Sequence, residues 1–318
     1  MLQIFVNANY DFVGRRRWFY LVSGGFVVLS LVSILFRGGL NYGIDFTGGT
    51  LVQVRYDRPV TVDVVRRGLD QIKLGQAVIQ QFGDAQEYLI RLHQAGESPE
   101  ALSKQMVDTL SHSAGTRVEI RRLEFVGPQV GRDLQLQALY AVLAGMAGIL
   151  IYVAFRFHFR DGVISVAAIA HDIIVTLGAL SVTHREISLP VLAALLTIVG
   201  YSINDTIVVF DRIRETRAKG IRKGQNWADM VNAALNQTLS RTVLTSFTVF
   251  LSALVLLLFG GEVLHDFSFA LLVGVVTGTY SSVAAATLVM DWESWSRARA
   301  RASGRSTRGP EGKLLAKR

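Results

Sequence analysis

The sequence contains no cysteine among its 318 residues. That excludes disulfides, thiol catalysis and thiolate metal sites, so any part outside a membrane must be held by packing alone. Charge is also scarce, at 18% of residues, against about 25% in an ordinary globular domain. The six histidines show no pair on one helical face, and no metal site is expected. A phosphate-binding loop is missing too: Gly309 to Lys313 lacks the required spacing and lies in a polar tail. No nucleophile elbow and no Ser/His/Asp arrangement is present. The expectation is therefore a protein that is not an enzyme, has no covalent catalytic site and carries no cofactor. If it does work, ATP is not the direct source. The gradient across a membrane remains, at about 2.3 kcal/mol per elementary charge per 100 mV.

Apolar residues are abundant. They make up 50% of the chain, mean hydropathy is +0.35, and an excess of this kind has to be covered by lipid. Six runs are long enough to cross a hydrocarbon core of about 30 Å as helices: 18–36, 138–155, 162–183, 187–210, 242–261 and 267–290. The first has a basic flank, but its apolar core is too long for a signal peptide and no small-residue cleavage site follows, so it reads as an uncleaved anchor. The net charge of +8 does not form a nucleic-acid stripe, and no nucleic acid partner is expected. From Arg37 to Asp133 twelve basic residues balance twelve acidic ones. The excess lies at Arg15 to Arg17, Arg156 and Arg160, Arg212 to Lys223, and the tail from Arg297. Basic short loops face the cytoplasm. The chain then divides into a cytoplasmic N-terminus (1–17), a first span (18–36), one exported, periplasmic domain (37–133), five further spans with a cytoplasmic amphipathic loop at 211–241 (134–290), and a basic cytoplasmic tail (291–318). Both termini lie inside.

The exported segment reads as α+β. Alternation marks strands at 51–56, 78–82, 88–92 and 117–126. Val62, Val65, Leu69 and Ile72 have helical spacing, and Ser98 and Pro99 open a second helix running to about Leu110. The order β-α-β-β-α-β is that of a ferredoxin-like unit. In the cytoplasmic loop, Trp227, Met230, Val231, Ala234, Leu235 and Thr238 line one face, with Asn226, Asp229 and Asn232 opposite. This predicts an amphipathic helix on the inner surface leading into the fifth span. It would be covered by lipid, by the chain's own packing or by a cytoplasmic partner.

Ionisable residues inside spans are costly and are functional candidates. Asp172 sits near the middle of the third span, Asp205 in the fourth, and Arg241 opens the fifth. At about 1.5 Å per residue, Asp205 and Arg241 come to similar depths on neighbouring helices, where they can meet directly or through water. One reading is a static ion pair. The other is a proton site, since low dielectric favours the neutral acid and a nearby arginine favours the carboxylate. Ser202, Asn204 and Thr206, with Ser240, Thr242 and Thr245, would line a hydrated path; hydroxyls are also ordinary interhelical glue. Asp172 and His171 point about 100° apart on a helix, so they do not form a joint ligand pair; Asp172 has a structural reading and a proton reading. Gly274, Gly278 and Ser282, with Ala286, put a small residue at every fourth position of the sixth span. Such a stripe lets another helix of this chain or of a partner pack closely.

These segments carry a family likeness. Gly43-Ile-Asp-Phe-Thr-Gly-Gly49, Val126-Gly-Pro-Gln-Val-Gly131, Tyr152-Val-Ala-Phe-Arg-Phe157 and Ala170-His-Asp172 resemble successive motifs of the SecF family of protein-export membrane subunits. So do the run from Gly200 to Glu215, Thr238-Leu-Ser-Arg-Thr242 and Gly278-Thr-Tyr-Ser-Ser282. The resemblance implies a bundle of the resistance-nodulation-division type in the bacterial inner membrane, paired with SecD and associated with the SecYEG channel and other translocon accessory membrane proteins. It implies use of the proton motive force to complete translocation of a preprotein. It also assigns the residues matching Asp205 and Arg241 to proton transport, and it suggests that Phe46, Thr47 and Gly48 couple the exported domain to the bundle. The length and the basic tail read as a separate subunit, not a fusion. Two other readings stand beside this one: a proton-driven exporter of lipids or small molecules, and a purely structural translocon subunit.

Overall fold

The structure, a computed structural model, describes residues 5, 8–92, 99–219 and 226–302. Ser98, Arg222, Lys223, the Gly309–Lys313 stretch and most of the basic tail lie outside those residues. Six of the described helices are long and apolar enough to cross a membrane. They are α1 (Arg16–Phe36), α5 (Pro128–Arg156), α6 (Phe159–Val182), α7 (Leu189–Ala218), α8 (Trp227–Phe259) and α9 (Gly261–Ala302). Between α1 and α5 come α2 (Ile44–Thr47), β1 (Gly49–Tyr56), α3 (Val62–Gln71), β2 (Val78–Gln81), β3 (Glu87–Leu92), α4 (Pro99–Ala114) and β4 (Val118–Val126).

The long helices begin where local chemistry satisfies their first amides. Pro128 and Pro190 occupy the first turns of α5 and α7, where a missing N–H costs nothing. At α8 the Asn226 side chain accepts from the Asp229 amide at 2.8 Å while Asp229 accepts from the Asn226 amide at 3.0 Å. The expected amphipathic helix is thus the first part of α8, continuous with the span. Its apolar face does not lie on lipid: Trp227, Met230, Val231, Ala234 and Leu235 pack with Val13, Ile164, Phe210, Ile213 and Val289. Its polar face takes the N-terminal segment, with the Phe12 and Tyr10 amides donating to Asn232 and Asn236 at 2.9 and 2.8 Å. The sixth span also overruns its expected end, since α9 carries the start of the supposed tail as helix.

About half of the apolar stretch of each of α6, α7 and α9 is buried (50, 50 and 56%), against 6% for α1 and α5 and 17% for α8. The first three form the interior. The small-residue stripe of α9 explains how they come so close. A Cβ on Gly274 would land on the Ile198 side chain, and one on Gly278 would come 3.2 Å from Ser202 Cβ, so the stripe packs on α7 of the same chain. Ser282 is fully buried and donates to the Thr279 carbonyl at 2.8 Å. Gly274→Leu is expected to destabilise the bundle by about 1–3 kcal/mol through overpacking. Gly148→Leu, where an added Cβ meets nothing within 4 Å, should leave the melting temperature of the detergent-solubilised protein unchanged.

The four strands form one antiparallel sheet in the order β2-β3-β1-β4. Val52, Val54 and Tyr56 of β1 alternate onto one face and pack with Val65 and Leu69 of α3 and Met106 and Leu110 of α4. The opposite face is polar, with Gln53 donating to Glu87 at 3.1 Å. This domain is seated on the bundle by a compact joint. Gly48 has φ +72°, and an added Cβ would lie 2.8 Å from Pro128 Cα. Phe46 is buried against Leu180, Ile187 and Val191, and its carbonyl accepts from Gln135 at 2.7 Å. Asp45 caps α7 by accepting from the Leu189 amide at 2.8 Å. Arg91, at the end of β3, pairs with Glu186, and Arg185 pairs with Asp266 at 2.5 Å. Burial pulls Arg91 down from the usual arginine range, opposed by the Asp266 charge.

At the other end of the bundle the basic loops gather. Arg16 pairs with Asp291 at 3.1 Å, Arg156 with Asp211 at 3.0 Å, and Arg160 and Arg217 both hold the buried Glu293, at 3.2 and 2.7 Å.

Candidate functional site

Two buried carboxylates lie between the inner helices, and the chain treats them differently. Asp172 of α6 is fully buried. Its Oδ2 accepts from Ser202 of α7 at 2.6 Å and from Ser281 of α9 at 2.8 Å, and its Oδ1 lies 2.9 Å from His171 Nδ1. One carboxyl group thereby ties three helices together. The neighbouring side chains of His171 and Asp172 meet each other. Their Cα–Cβ bonds diverge, but the imidazole is long enough to fold back onto the carboxylate. His171 Nε2 is buried and has no hydrogen-bond partner among the described residues.

Asp205 of α7 is 2% exposed and has far less support. Ser246 of α8 donates to its Oδ2 at 3.3 Å, and Ser246 accepts from Thr279 of α9 at 2.7 Å. The site is a chain of hydroxyls ending on a carboxylate, at the junction of α7, α8 and α9.

The sequence placed Arg241 in reach of Asp205, and the structure does not join them. No ion pair within 4.0 Å links the two among the described residues, and Arg241 is exposed. Ser246 faces Asp205, and Arg241 lies five residues earlier, about 140° around the helix. Thr242, a full turn below Ser246 on the same face, is buried with its hydroxyl unpartnered among the described residues.

The other expected residues divide. Ser202 serves Asp172, not Asp205. Thr206 is buried and donates back to the Ser202 carbonyl at 3.2 Å. Asn204 points outward and is exposed. Ser240 is half-buried and bonds neither carboxylate. Thr245 donates to the Arg241 and Thr242 carbonyls at 3.0 Å. Ser246 was not singled out from the sequence, and Thr279 and Ser281 entered only within the Gly278–Ser282 motif. Ser281 had a readable signal, since it is one turn from Gly278, and the helix that approaches that glycine must also meet the next hydroxyl.

Comparison with known proteins places this geometry in a group. Residues 106–295 match the family described as protein export membrane protein SecD/SecF, C-terminal, and residues 32–60 match the SecD/SecF GG motif, which includes Gly48 and Gly49. The chain is 44% identical over 283 residues to protein translocase subunit SecF of Calditerrivibrio nitroreducens, covering 88% of this chain and 93% of the relative. It is 41% identical over 276 residues to the subunit of the same name from Escherichia coli O157:H7, covering 86% and 84%. Among solved structures it is similar to SecDF, a translocon-associated membrane protein from Thermus thermophilus, with a TM-score of 0.79 and 40% identity. A second SecDF structure, in a super-membrane-facing form, matches with a TM-score of 0.68 and 39% identity. These matches cover 91 and 94% of this chain but only 39 and 40% of SecDF, so the chain spans about two fifths of that protein's length.

Proposed function

Because the chain belongs to the SecD/SecF family of protein-export membrane proteins, we propose that it is the SecF-type subunit of the Sec preprotein translocase. In this reading it acts with SecD and uses the proton motive force to drive late steps of preprotein translocation through SecYEG. It sits in the bacterial inner membrane with both termini in the cytoplasm. The sheet domain is exported and ferredoxin-like, and it engages or pushes the emerging chain. Two features support the orientation: the basic loops collect at one end of the bundle, and cytoplasmic loops carry the excess of Lys and Arg. The strand order and the two helices on one face support the ferredoxin-like reading.

The observation that carries the proton-driven part is the state of Asp205. It is buried between three helices, with a long hydrogen bond from Ser246, and a carboxylate buried at membrane depth is costly and a functional candidate by default. Protonation would release Ser246 and weaken the pull of Arg241, shifting α7 against α8. The joint at Gly48 and Pro128, with the Arg91–Glu186 pair, would pass that shift to the sheet domain. Asp172 belongs to the same interior and is the better candidate for a structural knot.

The reading is tested by export of a secreted reporter into vesicles containing SecYEG and SecD, with and without this chain. It predicts that the chain co-purifies with SecD and raises export only when a proton gradient is present. Equal stimulation without a gradient would favour a structural subunit; unchanged export would end the translocase reading.

A further inference from the structure

Besides the carboxylate sites, the bundle holds a cavity of about 220 Å³ at the end away from the sheet. Phe157, Arg160, Arg214, Arg217, Trp227 and Val289 are among its walls. We infer that it binds the head group of an anionic phospholipid, with Arg214 and Arg217 on the phosphate and the apolar walls against the glycerol and upper acyl chain.

The guanidinium groups at the mouth are fixed in advance. Arg214 lies 5.2 Å over the Phe157 ring and donates to the Arg156 carbonyl at 3.1 Å and to Asp211 at 2.8 Å. Arg217 lies 5.2 Å over the Trp227 ring and donates to Glu293 at 2.7 Å. A guanidinium has five N–H donors, so each keeps donors for a phosphate, and both side chains are over 40% exposed. The two acids that line the cavity stay inside, Glu293 at 3% and Asp161 at 7% exposed, while the half-exposed Asp211 lies outside the lining. The mouth therefore presents cations and the floor presents Phe210, Ile213 and Val289. Its level matches that of lipid head groups. Phe155, Phe159, Trp292 and Trp295 are exposed around the same end, as aromatic residues are at a membrane–water boundary. The size excludes a helix, and basic pockets between spans on the cytoplasmic side take anionic head groups.

The test is native mass spectrometry of the full chain in detergent, titrated with phosphatidylglycerol or phosphatidylcholine. Saturable binding of phosphatidylglycerol in preference to phosphatidylcholine is expected. Arg214→Gln should weaken it about fivefold, the effect of one surface cation. Arg212→Gln, which removes the same charge from the same end but outside the cavity, should not. Val289→Phe keeps every charge and should abolish binding by filling the space, while a thermal melt confirms that the bundle is intact. Equal binding of both lipids, equal loss in Arg212→Gln, or full displacement by inorganic phosphate would overturn the assignment. None of these outcomes depends on the export activity.

Discussion

Replacing Asp172 by alanine is expected to lower the stability of the bundle by about 2–5 kcal/mol, counting three interhelical or histidine contacts at roughly 0.6–1.7 kcal/mol each in a membrane. The loss arises because Ser202, Ser281 and His171 all aim at this one carboxyl group. Without it, two hydroxyl donors and an imidazole are left in a space that excludes water. Asp172→Asn keeps the shape and one oxygen acceptor. Since Ser202 and Ser281 share Oδ2, the amide oxygen serves both, and the amide nitrogen faces His171 Nδ1. Thermal unfolding in detergent should show a small shift for Asn and a large one for Ala. Equal shifts would mean that the carboxyl group does not knot the helices.

Gly48→Val is expected to unseat the sheet domain. A β-branched residue at φ +72° is strained by about 1–3 kcal/mol, and the new Cβ would also meet the Pro128 backbone at 2.8 Å. Backbone cannot yield as a flexible side chain does. Gly131 repeats the constraint from the other side, since its own Cβ would lie 2.8 Å from the Gly48 nitrogen. Hydrogen exchange should rise at Phe46 and in the first turn of α5, and reporter export should fall although Asp205 is untouched. Unchanged exchange would show that the joint does not depend on this close approach.

The spans were legible because a run of apolar residues long enough for lipid has few other uses. Strand positions in the sheet domain were legible from alternation, and Val52, Val54 and Tyr56 do share the core face. What sequence pattern could not supply was the rotation of one helix about its axis relative to another. Depth allowed Arg241 and Asp205 to meet directly or through water; no direct ion pair joins them among the described residues, and about 140° of helix separates Arg241 from Ser246. Ser202 was legible as a polar residue lining the interior, but that the approach of α6 gives its hydroxyl to Asp172 was not. The partner of the α9 stripe was likewise open until Ile198 and Ser202 of α7 were found against Gly274 and Gly278. The helix leading into the fifth span was legible from its two faces, and its cover was left open between lipid, a partner and the chain's own packing; Asn232 and Asn236 bond the N-terminal segment while the opposite face fills the core.

The contrast between the two carboxylates is the centre of the account. Asp172 is held by short bonds from three directions, and Asp205 by one long bond with an arginine standing off. Asp205→Asn removes the titrating group while leaving an oxygen for Ser246, so the fold should persist. The most direct measurement is reporter export into vesicles assembled with this variant, SecD and SecYEG, scored with and without a proton gradient. Co-purification and thermal unfolding serve as checks on assembly. The account predicts normal assembly and complete loss of the gradient-dependent increase. Export that still rises with the gradient as in the unaltered chain would contradict it.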